Sequence, residues 1–268
     1  MTHRRGPALP NQAASDLPAM STPHFPTDYD QYAATYAWAR SAVPWVVAPL
    51  ARLVDGLPRG ATVLEIGCGT GNYIHALARG RDDVAYVGFD ISHPMLREAC
   101  ARRSRAAFLA GDAARSFPCR ADICGLAFAV DVIHHIDGLA SFFAEAARVL
   151  LPGGRLVLVT DSEDDIRQRS LTTHFPEILS IELQRYPPLG LLHQHAADAG
   201  LLLQKEEPAV GEVPLTEDFL QRLAAKCSSA MRLLAPHQHA AGMARVQDAR
   251  VRGERWLSRY TVLHYEKP

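Results

Sequence analysis

A glycine-rich turn after a short apolar run is the feature that most constrains the fold of this chain. Residues 62–66 are largely apolar, and Gly67, Gly69 and Gly71 follow at alternate positions before a segment of helical character. Glycine is required where the backbone adopts a positive φ or where a ligand lies against the main chain. The pattern therefore predicts a strand, a ligand-binding turn and a helix in succession.

The glycine spacing excludes two common nucleotide-binding turns. A dinucleotide-binding turn needs its third glycine one place later, where this chain has Asn72. A phosphate-binding loop needs Gly-Lys followed by Ser or Thr, and no such triplet follows the turn. The turn is therefore suited to a different ligand.

Short apolar segments of β type alternate with amphipathic segments between residues 61 and 160. Apolar strands that alternate with helices predict a parallel sheet covered on both faces. This is the doubly wound α/β architecture, in which ligands bind at the carboxyl ends of the strands. The predicted strands are 62–66, 84–89, 106–110, 123–130 and 155–160, and the predicted helices are 71–79, 94–103 and 139–150.

The segments on either side of this core differ in character. Residues 1–27 are rich in proline, which removes backbone donors and blocks helix formation, so we expect a flexible tail. We expect residues 28–268 to form one domain, with the cofactor-binding core at 61–160. The other expected elements are helices within 28–57, a partly helical stretch at 162–187, helices at 189–199 and 216–257, and strands at 201–207 and 260–265.

Composition narrows the classes of function. The formal net charge is −1, so the chain has no global field that would attract nucleic acid or an acidic membrane face. Its 5 cysteines form no C-x-x-C pair, which disfavours a disulfide framework or a zinc site. No secretory signal or membrane span is apparent. We expect a cytoplasmic protein with no nucleic-acid or membrane partner, and the oligomeric state stays open.

The turn E-I-G-C-G-T-G-N, from Glu65 to Asn72, resembles the first motif of class I S-adenosylmethionine-dependent methyltransferases. Further motifs follow in the order of that family over residues 63–160. The resemblance implies a mostly parallel, doubly wound sheet of seven strands, with N-terminal lid helices and a helical insertion that covers the acceptor. The further motifs are Asp90 after the second strand, 111–113, 128–130 and the R-V-L-L-P-G-G-R-L segment at 148–156.

The same resemblance implies S-adenosylmethionine as the cofactor. Glu65 has a second interpretation, in which it only orients the turn by accepting backbone N–H groups. Asp112 is alternatively a turn cap, and the side chain of Cys68 is expected to pack rather than react. The implied cofactor-binding residues are Tyr32, Glu65, Gly67, Cys68, Gly69, Gly71, Asp90, Ile91, Met95, Gly111, Asp112, Ala113, Phe128 and Ala129.

Two adjacent histidines are the candidate catalytic residues. His134 and His135 follow the fourth predicted strand, and the H-H-I run resembles that of methyltransferases of the ubiquinone and menaquinone biosynthesis type. A histidine titrates near neutral pH and can serve as a general base, and His135 is favoured by the family pattern. The alternative is a histidine packed under the loop, and Asp131 is interpreted as a loop or cap residue.

The N-terminal segment and the second half of the chain are expected to enclose the acceptor. The tyrosines from Tyr29 to Tyr36 resemble the lid helix of the same group, although Tyr32 and Tyr36 could be ordinary packing on one helix face. Residues 162–187 and 211–255 are expected to form the acceptor cover. The predicted acceptor contacts are Tyr29, Tyr36, His174, Arg185 and Tyr186, and no metal site is predicted.

The sequence thus predicts methyl transfer from S-adenosylmethionine to a small molecule through an O, N, C or S nucleophile. Such a transfer is an in-line displacement for which the protein mainly supplies alignment and desolvation. Methylation of RNA or protein is a second interpretation, disfavoured by the near-neutral charge and the lack of a basic stripe. A non-catalytic protein that only binds S-adenosylmethionine is a third.

Overall fold

Seven strands form one mixed sheet in the order β3-β2-β1-β4-β5-β7-β6. The structure is a computed structural model that describes residues 29–226 and 228–268. β1 to β5 pair in parallel, and β7 runs antiparallel to both of its neighbours. The strands are β1 (Thr62–Ile66), β2 (Ala85–Asp90), β3 (Ala107–Ala110), β4 (Cys124–Val130), β5 (Leu150–Thr160), β6 (Leu202–Pro214) and β7 (Arg255–Glu266).

Helices precede the sheet, link its parallel strands and extend from its carboxyl edge. Two short 3₁₀ helices lie at Tyr29–Tyr32 and Ile133–His135. The α-helices are α1 (Ala33–Ala39), α2 (Pro44–Asp55), α3 (Asn72–Leu77), α4 (His93–Ala101), α5 (Leu139–Val149), α6 (Glu163–Gln168), α7 (Ser170–His174), α8 (Ile178–Arg185), α9 (Leu189–Asp198), α10 (Glu217–Ala224), α11 (Ser229–Arg232) and α12 (Pro236–Val251). Within the described ranges no helix is both long and apolar enough to cross a bilayer.

Side chains from alternate positions of the strands build a core on each face of the sheet. In β1, Leu64 and Ile66 join the cluster that includes Phe142 of α5, whereas Val63 joins the opposite cluster with Leu50 of α2. This alternation follows from the two-residue period of a strand. The predicted doubly wound sheet of seven strands is confirmed.

A third apolar cluster lies under the cover, outside the two sheet faces. Phe175 and Ile178 of the first cover segment pack with Leu223 of α10 and Val246 of α12. The two predicted cover segments therefore share one small core. The predicted tail at residues 1–27 lies outside the described residues.

The element limits predicted for the last third of the chain differ from those of the structure. The strand predicted at 201–207 is β6 (Leu202–Pro214), the helical stretch predicted at 216–257 ends with α12 at Val251, and the strand predicted at 260–265 is β7 (Arg255–Glu266). The cover segment predicted at 211–255 therefore includes the last residues of β6 and the first residue of β7. β6 continues to Pro214 because it pairs with β7 along its length. Pro208 and Gly211 obscure this strand in the sequence, and an edge strand tolerates both residue types.

Gly242 of α12 provides a test of the cover core. A Cβ added there would lie 2.0 Å from a ring carbon of Phe175, which is 0% exposed. Alanine normally stabilises a helix interior relative to glycine, but here we expect Gly242→Ala to lower the free energy of unfolding by about 1–3 kcal/mol through overpacking. Urea denaturation measures the change.

The matched control is Gly190→Ala near the start of α9. A Cβ at that exposed glycine meets no atom within 4 Å, so the variant should be neutral or stabilised by up to about 1 kcal/mol. A Gly242→Ala protein as stable as the wild type would contradict the packing described here.

Candidate functional site

The glycine turn after β1 removes side chains from the carboxyl edge of the sheet. Gly67, Gly69 and Gly71 have φ values of +63°, +52° and +72°. A Cβ at Gly67 would lie 2.7 Å from the side chain of Val132, and one at Gly71 would lie 2.8 Å from His75. At Gly69 the nearest atom would be 3.8 Å away, so this position is kept as glycine by its backbone conformation.

Two acids hold the turn against the neighbouring elements. Glu65 Oε2 accepts the N–H of Ile74 at 2.9 Å, and burial raises the pKa of this carboxyl well above its usual range. Asp90 Oδ2 accepts the N–H of Gly69 at 2.7 Å, and its Oδ1 accepts the N–H of Ser92 at 2.8 Å. Burial raises the pKa of Asp90 although these N–H groups oppose the shift. Glu65 thus orients the turn, as its second interpretation held.

A cavity of about 290 Å³, which we call the turn cavity, opens beside Gly69 and Asp90. It lies where the carboxyl ends of β1, β2 and β4 meet the loops that follow them. This is the position at which doubly wound sheets bind ligands. Its wall consists of Tyr36, Gly67, Gly69, Phe89, Asp90, Ile91, Met95, Gly111, Asp112, Ala113, Ala114, Val130, Asp131, Val132, His135 and Ile136.

The wall of the turn cavity fits a nucleoside. Each Asp90 oxygen takes one backbone N–H and keeps a lone pair for a hydroxyl group of a ligand. Ile91 is 68% exposed at this wall, and Met95 adds a second apolar side chain. Asp112 lines the cavity while its Oδ1 accepts the N–H of Ala114 at 2.9 Å, so it is also the turn cap that the sequence allowed.

Eight of the fourteen predicted cofactor residues line the turn cavity, and six do not. Phe128 and Ala129 lie inside β4 and are almost fully buried, so Val130 forms the wall there. The ring of Tyr32 lies under the guanidinium of Arg232 at 3.8 Å. The remaining three residues lie behind the wall, and they are Glu65, Cys68 and Gly71. Burial raises the pKa of the Cys68 thiol, so this side chain is expected to pack rather than to react.

A second cavity of about 350 Å³, which we call the cover cavity, lies between the N-terminal helices and the cover. Its wall is formed by residues 36–45, parts of 169–186 and 213–231, and residues 256–260 of β7, with Tyr73, Asp131 and His134 completing it. Both predicted cover segments therefore contribute to the wall of this cavity.

Tyr36 and Asp131 line both cavities. Asp131 has a φ of +56°, an uncommon conformation for a residue other than glycine, and its N–H donates to Val159 O at 3.1 Å. Its Oδ2 accepts from Arg40 Nη2 at 2.8 Å. Such strain is concentrated at functional sites. The sequence placed Asp131 after β4 but gave no sign of the strain or of Arg40.

The two histidines point to different cavities. His134 lines the cover cavity and His135 lines the turn cavity, with ring centroids 4.0 Å apart. His134 also stacks on Tyr186 at 4.1 Å. Its Nδ1 is closed to solvent and has no hydrogen-bond partner. Burial, followed by the neighbouring His135 and Arg185, holds the pKa of His134 well below its usual value, so the ring is neutral at physiological pH.

The structure places the predicted acceptor contacts at different distances from the cover cavity. Tyr36 and Tyr186 line the cover cavity. Arg185 lies behind it, where it donates to Glu182 Oε1 at 2.9 Å and to Ser229 Oγ at 3.0 Å. His174 is buried against Trp256, and the side chain of Tyr29 lies outside the part of the chain that is described. Among the described residues no cluster of three His, Cys, Asp or Glu could hold a metal ion.

A buried ionic network that the sequence did not reveal supports the cover cavity. The Arg169 guanidinium contacts the carboxylates of Asp161 and Glu182, and Glu182 also accepts from Arg185. Burial raises the pKa of Asp161 to about 7, even though Arg169 opposes the shift. The partners are 8, 13 and 3 positions apart in the chain and form no recognisable motif, so the network becomes apparent only in the folded structure.

Comparison with known proteins shows what the central part of the chain is similar to. Residues 64–158 match the family described as "Methyltransferase domain". The structure of Haemonchus contortus phosphoethanolamine N-methyltransferase 2, in complex with phosphomonomethylethanolamine and S-adenosylhomocysteine, superposes with a TM-score of 0.57 at 19% identity. That match covers 89% of this chain and 57% of the other, and it shows a shared fold.

Curated relatives match a shorter part of the chain. A tRNA (carboxymethyluridine(34)-5-O)-methyltransferase of Arabidopsis thaliana is 29% identical over 54% of this chain and 34% of its own length. A demethylmenaquinone methyltransferase of Tropheryma whipplei (strain Twist) is 36% identical over 38% of this chain and 43% of its own. The chain therefore spans less than half of the length of either relative. Because one relative is a tRNA methyltransferase, the expectation that this chain has no nucleic-acid partner is not supported.

The neutral state of His134 gives a testable pH dependence. The pKa of His134 is lower in the folded protein than in the unfolded chain. Below about pH 6.5 the unfolded chain therefore takes up a proton that the folded protein does not bind. This proton uptake favours the unfolded state, so the free energy of unfolding decreases as the pH falls. His134→Phe keeps a ring against Tyr186 but removes the titrating group. We expect the wild type to lose stability relative to His134→Phe between pH 8 and pH 5 in urea denaturation.

His237 of α12 provides the control because it is exposed to solvent. His237→Gln is measured over the same pH range to show what the replacement of a surface histidine does by itself. Parallel pH profiles for the wild type and His134→Phe would show that His134 is not held neutral by its surroundings.

Proposed function

We propose that this chain, which carries a class I S-adenosylmethionine-dependent methyltransferase domain, transfers a methyl group from that cofactor to a small organic acceptor. The observation that carries the proposal is the pair of adjacent cavities that share Tyr36 and Asp131. One cavity has the carboxylate and apolar contacts that a nucleoside needs, and the other has the size of a small-ligand site.

The residues of the turn cavity would hold the cofactor. Asp90 would accept the ribose hydroxyls, the turn at Gly69 would leave room for the amino-acid portion, and Ile91 and Met95 would contact the adenine region. S-adenosylmethionine supplies a methyl group on a positively charged sulfur. The chain needs no metal for this chemistry.

Transfer requires that the acceptor atom reach the methyl group at the boundary of the two cavities. A lone pair of the acceptor forms the new bond to the methyl carbon while the carbon–sulfur bond breaks, and its electrons remain on sulfur. Tyr36 and Asp131 line that boundary, so they would align the acceptor and exclude water. Arg40 holds Asp131 in place through its ion pair.

The position of the histidines favours His134 over His135 as the base. An acceptor that carries a proton on its nucleophilic atom must lose it, and His134 lies on the acceptor side with a neutral ring. Its Nδ1 has no other partner. His135 lies on the cofactor side, so we assign it a role in shaping the turn cavity.

RNA is the second candidate acceptor because a tRNA methyltransferase is among the relatives. The volume of the cover cavity and the near-neutral charge of the chain support a small molecule instead. A non-catalytic role in binding S-adenosylmethionine would require the cofactor to bind without methyl transfer.

Cofactor binding is tested at Asp90. Asp90→Asn keeps the size of the side chain but replaces one oxygen with an N–H₂ group that faces backbone donors. We expect the dissociation constants of S-adenosylmethionine and S-adenosylhomocysteine to rise at least tenfold, about 1.4 kcal/mol, in isothermal titration calorimetry.

Asp82→Asn is the matched control, because Asp82 is exposed and lies before β2. It should bind the cofactor as the wild type does. Binding of NADH in place of S-adenosylmethionine, or unchanged affinity in Asp90→Asn, would refute the cofactor assignment.

The acceptor class is tested by the transfer of a tritiated methyl group. The protein is incubated with labelled S-adenosylmethionine and, separately, with a metabolite extract filtered below about 3 kDa and with total tRNA. We expect label in a small molecule and none in tRNA, with Asp90→Asn abolishing the transfer. His134→Gln should reduce turnover at least tenfold and leave cofactor affinity unchanged, whereas His135→Gln should alter cofactor affinity.

The other outcomes separate the alternatives. Label in tRNA would replace the small-molecule acceptor with RNA, and tight cofactor binding without labelled product in any fraction would favour the non-catalytic role. Equal turnover in His134→Gln and the wild type would remove His134 as the base.

A further inference from the structure

The carboxylates that line the cover cavity each have an arginine partner. The separations are 2.8 Å for Asp131 and 2.9 Å for Asp218, so an ion pair already balances each of these charges. The pairs are Asp131 with Arg40, Glu182 with Arg169, and Asp218 with Arg222.

Hydrogen-bond donors in the same wall are not all occupied. Trp45 Nε1, Arg169 Nε and Arg222 Nε are closed to solvent and have no hydrogen-bond partner. Arg169 is only 8% exposed, so the cost of leaving its donor unpaired is high. Among the buried side-chain atoms of the described wall, His134 Nδ1, which donates or accepts according to its tautomer, is the one unpaired atom that can accept. The unpaired buried donors favour a ligand that brings acceptor oxygens.

The balance of charges around the cover cavity argues against a polyanionic ligand. Four arginines and three carboxylates line the cavity. Behind the wall, Asp161 contacts Arg169, Asp165 contacts Arg259, and Arg185 contacts Glu182, which brings the whole network close to neutrality. Guanidinium groups bind carboxylates more strongly than neutral acceptors. A polyanion such as a diphosphate would exceed what this network balances.

Flat aromatic surfaces form much of the remaining wall. They come from α1, α2, α3, α10 and β7, and they are Tyr36, Trp45, Tyr73, Phe219, Trp256 and Tyr260. Gly211 of β6 is part of this arrangement, because a Cβ there would lie 2.1 Å from the ring of Trp45. The missing side chain lets the indole lie against β6. Such walls suit a planar ring.

We propose that the acceptor is an aromatic carboxylate whose carboxylate group is recognised by the unpaired donors of Trp45, Arg169 and Arg222. This inference rests on the proposed function and adds the class of substrate to it. Trp45 and Arg222 are then specificity-determining residues, while Arg169 also supports the cavity through its ion pairs.

The test uses paired probes that differ only in the carboxylate. The full chain is saturated with S-adenosylhomocysteine and titrated with 4-hydroxybenzoate and 4-hydroxybenzamide, and with 2-naphthoate and 2-naphthamide, by saturation-transfer NMR and calorimetry. We expect each carboxylate to bind at least tenfold more tightly than its amide. Trp45→Phe and Arg222→Met should each weaken carboxylate binding at least threefold without changing the affinity for S-adenosylhomocysteine.

Two controls match these variants in chemistry. Trp38→Phe alters an exposed tryptophan of α1, and Arg250→Met alters an arginine of α12 that pairs with Glu217. Neither residue lines the cavity, so both variants should bind the probes as the wild type does. Trp45→Phe keeps an aromatic ring but loses part of the indole volume, so thermal unfolding is measured to confirm that the variant is folded under the binding conditions.

The outcomes distinguish this inference from the function on which it rests. If S-adenosylhomocysteine binds but the amides bind as well as the carboxylates, or no probe binds, the carboxylate inference is wrong and the proposed function stands. The same holds if Trp45→Phe and Arg222→Met bind the carboxylates like the wild type. If S-adenosylhomocysteine itself does not bind, the proposed function fails and this inference fails with it.

Discussion

The contact between Asp90 and the N–H of Gly69 is the interaction on which the site depends. It joins the turn after β1 to the carboxyl end of β2 at 2.7 Å. The contact forms only because the backbone enters the left-handed region at each glycine of the turn, which brings the Gly69 amide to the carboxylate. The same backbone leaves no side chain in the space that becomes the turn cavity. One local conformation therefore both builds the cavity and orients its acid.

Asp131 extends this arrangement to the second cavity. Its strained backbone places a carboxylate at the boundary of the two spaces, and Arg40 reaches it from the end of α1. The 3₁₀ helix before α1 is tied to the same sheet edge, because Ser92 Oγ donates to Asp30 at 2.6 Å. The 3₁₀ helix and α1 are thus tied to the carboxyl edge by polar contacts, whereas α2 is anchored by the apolar core.

The part of the structure that could be predicted from the sequence is the part that is encoded locally. β1 to β5 and the turn after β1 were found because apolar runs and glycine spacing are properties of neighbouring residues. The full length of β6 was missed because pairing with β7, rather than its own pattern, extends it past Pro208. The roles of Asp131 and Arg169 were missed for a related reason, since a strained φ and a four-residue ionic network arise only in the folded chain. His134 and His135 were recognised as a pair, but adjacent residues of a 3₁₀ turn face different directions, and only coordinates separate them.

The similarity to relatives covers the residues of one cavity and almost none of the residues of the other. Every residue of the turn cavity except Tyr36 lies within the segment 64–158 that matches the family. Of the cover cavity, only Tyr73, Asp131 and His134 lie within it. Family resemblance therefore informs the cofactor and is nearly silent on the acceptor, which explains how relatives that share this segment can act on molecules as different as a tRNA and a menaquinone precursor. The acceptor has to be inferred from donors and rings that α1, α2, the cover and β7 bring together.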